Sequence, residues 1–167
     1  CNKDEPKFSS SEIQRALLEM KGTYHGEMSV SYYRGETISE GNACKAVSKD
    51  SLTVNMDLSL MAQSITDERI ASRLRDIGTV QVKAAYEFYQ MDEQIYNFVL
   101  LPKDVICLDG YGAPETVKIV FAQNYGGDAD YFNHSITFNL SPTELWVGDK
   151  KYEQFQQLVY HFGGTYE

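Results

Sequence analysis

Residues 22–33 read Gly-Thr-Tyr-His-Gly-Glu-Met-Ser-Val-Ser-Tyr-Tyr, and their polarity alternates with a period of two. Tyr24, Met28, Val30 and Tyr32 share one face of an extended chain; Thr23, His25, Glu27, Ser29 and Ser31 share the other. Successive side chains of a strand point to opposite sides of a sheet, so this pattern predicts a strand buried on one face. The alternation returns at Leu52, Val54, Met56 and Leu58, and again at Val80, Val82, Ala84, Tyr86 and Phe88. It recurs at Val117, Ile119 and Phe121, and at His134, Ile136, Phe138 and Leu140. Shorter apolar stretches sit at 105–108, 145–147 and 158–162. Eight or so short strands separated by turn signals predict a mainly β fold, an antiparallel barrel-like or sandwich domain.

Residues 91–94, Met-Asp-Glu-Gln, separate the strand ending near Phe88 from an apolar run at 95–101, which predicts a hairpin. Apolar residues on both faces of that second arm suggest cover on both sides, and Pro102 ends it. Two helices are expected. Ser9-Ser10-Ser11-Glu12 has capping-box spacing ahead of Ile13, Ala16, Leu17 and Met20, and Gly22 ends that helix. A short internal helix is expected over 66–78, with Thr66 as its cap, Ile70 and Leu74 facing inward, and Arg69, Arg73 and Arg75 in water. Residues 34–42, 109–114 and the Gly-Gly-Asp-Ala-Asp run at 126–130 read as loops.

A net charge of -9 repels phosphate backbones and anionic headgroups, which argues against nucleic acid and peripheral membrane partners. No apolar run approaches the roughly 20 residues a membrane helix needs. Of the 3 cysteines, Cys44 and Cys107 both neighbour apolar residues, where a disulfide and two buried thiols are both open readings.

The chain begins Cys-Asn-Lys-Asp-Glu-Pro-Lys. A first residue other than Met is what removal of a signal peptide leaves, and a Cys there resembles the start of a mature bacterial lipoprotein. Lys3-Asp4-Glu5 resembles the export signal of Bacteroidetes-type lipoproteins. That resemblance implies acylation of Cys1, residues 1–9 as a tether for a single β-rich domain over 10–167, and an address on the cell envelope, at the exposed face of the outer membrane. Each buried methylene of an acyl chain contributes about 0.8 kcal/mol, so two or three chains would hold the protein on a membrane almost permanently. The helix followed by Gly22-Thr23-Tyr24 resembles the opening of lipocalin-like or calycin-like barrels, with Tyr24 where lipocalins usually carry Trp. The overall layout is similar to domain-of-unknown-function lipoproteins of gut Bacteroidetes, a likeness that implies no activity.

Catalytic signatures are absent from the sequence. There is no Gly-x-Ser-x-Gly elbow and no His-Glu-x-x-His, and His25, His134 and His161 form no constellation. His134 falls on the apolar side of its alternation, where a hydrogen-bonded structural histidine is expected. Gly110 and Gly112 lack the third Gly of a phosphate loop. Asp128 and Asp130 have the spacing of the first two calcium-loop ligands, but Phe132 and Asn139 occupy later ligand positions, so no metal or cofactor is expected. Tyr32, Tyr33, Tyr89, Tyr111, Tyr125 and Tyr131 lie near expected strand ends, where rings could stack on a sugar or an apolar ligand. Core and rim packing is the competing reading for them. The expected function is a non-enzymatic, membrane-anchored binding module for a small molecule, glycan or protein. A surface hydrolase acting on glycan or peptide, and a lipocalin-like carrier of a small apolar ligand, are the alternatives.

Overall fold

The computed structural model describes residues 8–31, 37–48, 51–107 and 116–166; for 37–48 and 166 it describes the backbone only. Cys1, Tyr32, Tyr33, Tyr111 and the expected 109–114 loop lie outside the described residues.

The first helix, α1 (Ser10–Met20), forms because Ser9 and Glu12 close a capping box and Ala16 and Met20 supply an apolar face. Its C-terminal carbonyl at Met20 accepts a 2.8 Å hydrogen bond from the Tyr24 hydroxyl, so the helix is tied to the strand that follows. That strand is β1 (Gly22–Ser31), and Tyr24, Met28 and Val30 are its buried positions, as the alternation predicts. β2 (Thr37–Ser48) corrects the loop expected over 34–42: residues 37–42 are extended and paired to β1 throughout. β3 (Ser51–Asp57) then runs into a short helix absent from the sequence reading, α2 (Leu58–Ala62), capped by Asp57. In α3 (Glu68–Ile77) the cap is Asp67 rather than Thr66, its carboxylate accepting from the backbone N–H of Arg69 and Ile70. Ile70 and Leu74 are buried as expected; Arg69 and Arg75 are exposed, while Arg73 is half-buried.

The predicted hairpin is present as β4 (Thr79–Met91) and β5 (Ile95–Pro102), with Met91 opposite Tyr96. β6 (Val105–Cys107) and β7 (Val117–Phe121) follow. β8 (Tyr125–Asp130) corrects the loop expected at 126–130. Gly127 is a packing requirement: a Cβ there would lie 2.7 Å from the Phe98 ring and 2.8 Å from Cβ of Phe138. The remaining strands are β9 (Ser135–Leu140), β10 (Pro142–Val147), β11 (Lys150–Lys151) and β12 (Val159–Tyr166).

Eight strands close a barrel in the order β1-β12-β9-β8-β5-β4-β3-β2, every pair antiparallel. The path is an up-and-down meander with two excursions, which meet as a second sheet ordered β11-β10-β7-β6. The registers sort the connections between the barrel's two ends. The β4–β5 and β8–β9 turns and the start of β1, with α1, lie at one end; α2, α3 and the second sheet lie at the other. Inside, Met28, Leu52, Met56, Phe98, Leu100, Phe138, Tyr160 and Phe162 have at most 1% of their surface accessible. A water-sized void would expose the side chains around it, so these positions are packed solid, as the narrow girth of eight strands allows.

Candidate functional site

The barrel end beside α1 carries the chemistry. Two turns build it. In the β4–β5 turn the Asp92 carboxylate accepts from the backbone N–H of Ile95 (2.7 Å) and Gln94 (2.8 Å). In the β8–β9 turn the Asp130 carboxylate accepts from the Asn133 backbone (3.1 Å) and side chain (2.8 Å). Short carboxylates that capture nearby N–H groups are the usual way such turns are pinned. Gln94 joins the two: its side chain donates to Asp130 at 3.1 Å, and its carbonyl accepts from the Tyr131 N–H at 3.2 Å.

The bracing sets three rings in a column. Tyr96 of β5 stacks on Tyr131 (centroids 5.4 Å apart, planes 15°), and Tyr131 stacks on Phe132 (5.5 Å, 14°). Edge contacts continue the column inward through Phe88 to Tyr86, whose ring lies tilted against Phe98 of the core. Phe132 ends it at the surface with 67% of its area exposed. Beside the rings lies a concavity of about 540 Å³; α1 contributes Glu12 and Arg15, the end of β4 contributes Met91, and the β4–β5 turn contributes Asp92 and Glu93. At the base the Tyr96 hydroxyl donates to Glu19, whose other oxygen binds Arg15 Nε at 3.0 Å. Burial, then the bond to Glu19, pushes the Tyr96 hydroxyl far above its ordinary pKa, so it stays a donor.

The turn carboxylates shift the other way. Backbone N–H donors at Ile95 and Gln94 hold Asp92 below the ordinary 3.8, and the Asn133 backbone leads the same effect on Asp130. A depressed folded pKa stabilises above the unfolded value, and that stability is lost as pH falls through the folded value. The double variant Asp92→Asn/Asp130→Asn is therefore expected to flatten the decline of melting temperature between about pH 4 and pH 2. Melts in which variant and wild type fall in parallel would remove this assignment.

The other candidates are not brought together. Asp128 and Asp130 project from the outside of β8 rather than from a loop, and Asp128 accepts from the Asn97 amide. Among the described residues no three of His, Cys, Asp and Glu converge as metal ligands. His134 corrects the buried placement expected of it: it sits exposed in the β8–β9 turn with φ 51°, a left-handed backbone. His25 and His161 lie on the outer faces of β1 and β12, with His161 Nδ1 2.6 Å from the Asn139 side-chain oxygen. Tyr89 and Tyr125 are partly exposed on β4 and β8, and neither lines the concavity.

The Cys107 thiol is free and half-buried, which raises its pKa and keeps it protonated and unreactive. Residue 44 pairs with Tyr24 near the α1 end of the barrel, whereas Cys107 lies in the second sheet at the other end, so the bridge left open by the sequence does not form. A smaller hollow of about 350 Å³ beside Cys107 is lined by Lys83 and Lys103. On the second sheet Trp146 is held by Glu144, which accepts from its Nε1 at 2.9 Å, and by Lys118, whose ammonium lies 5.0 Å from the ring centre.

Sequence reasoning flagged Tyr131 but missed Tyr96 and Phe132. The ring column depends on two turns meeting, and no sequence spacing carries that. Fold and groove together define a closed eight-stranded meander barrel with a ligand-sized concavity at one end. The chain belongs to a family described as a domain of unknown function, DUF4840, whose profile matches residues 19–147. No curated protein and no solved structure matches the chain.

Proposed function

We propose that the protein is a non-enzymatic binding module, carried at the outer surface of the cell envelope on acyl chains at Cys1, and that the groove at the α1 end receives its ligand. The observation carrying the binding role is Phe132. A large ring left 67% exposed at the head of a braced column adds little to the core, and exposed apolar surface beside a concavity marks interaction sites. The packed interior favours this surface groove over a central lipid-carrying cavity. General-acid cleavage of a glycosidic bond uses a carboxyl raised toward neutrality. Asp92 is shifted downward instead, which favours binding over catalysis.

Two measurements test the reading. In the native host, the unprocessed gene product should incorporate palmitate label and partition with membranes, and Cys1→Ala should abolish both. Label retained by that variant sinks the anchor. In a ligand screen by amide chemical shifts, a binder should move the resonances of Tyr131 and Phe132, and Phe132→Ala should weaken it. A binder that ignores Phe132 sinks the groove.

A further inference from the structure

We propose that this groove selects a ligand bearing a guanidinium or amidinium group, the planar cation lying on the open face of Phe132 and held by carboxylates of the β4–β5 turn. The inference rests on the binding-module reading and names the chemistry of its ligand.

Three features carry it. First, the column Tyr96–Tyr131–Phe132 is near parallel, at 15° and 14°, and stops at a ring 67% exposed. The next layer of such a stack is another flat group, and the electron-rich ring face favours a cation there. Second, the concavity is lined by three carboxylates, Glu12, Asp92 and Glu93, against one arginine. Arg15 is already spoken for, since its Nε sits 3.0 Å from Glu19. The lining is thus electronegative, within a chain of net charge -9. Third, the donor inventory fits. Carboxylates only accept, and a guanidinium offers five N–H donors in a plane. A sugar hydroxyl needs donors as well as acceptors, and an anion would meet like charge. Asp92 stays ionised under the hold of its backbone donors, and Glu93 is engaged by no ion pair among the described residues.

The test is titration of the whole chain followed by amide chemical shifts, comparing benzamidine with its uncharged isostere benzamide. Benzamidine is expected to shift residues 92–93 and 131–132 and to bind about tenfold more tightly than benzamide, a difference that added salt reduces. Phe132→Ala should weaken benzamidine about fivefold, and Glu93→Gln should weaken it without affecting benzamide. Both side chains are exposed, so unchanged unfolding midpoints exclude misfolding as the cause. Equal affinity for the two probes would overturn the cation inference and leave the groove as a binding site. Failure of both probes to move these residues would overturn the inference, and loss of every ligand from the wider screen would overturn the binding-module reading as well. Arginine amide and the tripeptide Gly-Arg-Gly separate the sources: tighter tripeptide binding assigns a peptide, tighter amide binding a small molecule, and binding of neither overturns the proposal.

Discussion

Phe138→Ala is expected to destabilise the protein by about 4 kcal/mol, the middle of the range for truncating a buried ring. Phe138 is 1% exposed and meets Phe162 edge to face, with centroids 5.3 Å apart. Its neighbour across the ladder is Gly127, which has no side chain to move into the vacated space. A closed barrel is hydrogen-bonded all the way round, so its wall cannot fold inward as a helix pair can. Collapse is therefore small, and the cost is the lost transfer energy plus a cavity that persists. Urea unfolding followed by the fluorescence of Trp146 gives the number. Such an apolar void stays dry and takes small apolar guests, so benzene should restore part of the loss. A cost under about 1.5 kcal/mol with no benzene effect would mean that the wall relaxes, contrary to the rigid-girth argument.

Gly26→Ala should cost about 3 kcal/mol for a different reason, overpacking at the seam. Gly26 pairs with Gly164 where β1 meets β12, and an added Cβ would fall 1.8 Å from the Gly163 carbonyl oxygen and 2.5 Å from Gly164 Cα. Those are backbone atoms, locked on their far side to Thr137 and Ile136 of β9. Relief requires separating ladders on both flanks of β12. Gly163→Ala is the control, because its Cβ would meet only the Thr137 methyl at an ordinary 3.6 Å. With a urea m-value of about 2 kcal/mol/M, the Gly26 variant should lose about 1.5 M in midpoint while the control stays near wild type. Equal midpoints for the two variants would sink the account of the seam.

How much of this was legible depended on whether the signal was local. The alternation of Tyr24, Met28 and Val30 and of Val80, Val82, Ala84 and Tyr86 was read correctly because burial on one face leaves a period of two. The capping box of Ser9 and Glu12 and the turn at Asp92 were equally local. β2 was missed because its stretch Ser-Glu-Gly-Asn carries no apolar alternation; pairing with β1 along the whole of that stretch imposes the extended form. β8 was missed because Gly126-Gly127-Asp128 is turn composition, whereas the room at Gly127 is taken by Phe98 and Phe138 from neighbouring strands. The calcium-like spacing of Asp128 and Asp130, already broken at Phe132 and Asn139, has the same origin: residues two apart on a strand share a face, and each carboxylate serves its own partner. Of the groove, only Tyr131 stood out, since the column is made by Gln94 reaching across to Asp130 from a turn 36 residues away.

The closure of β1 against β12 also bears on when the molecule can form. Met28 waits for Phe162, and Tyr24 for residue 166, before the first strand has both neighbours. Pairing so distant along the chain is slow, because its entropic cost falls due before the contacts repay it. A nascent chain emerging from the ribosome would expose the bare edge of β1 throughout synthesis, an invitation to sticking. Such an architecture cannot shut until its last strand is made, so closure is a single late event.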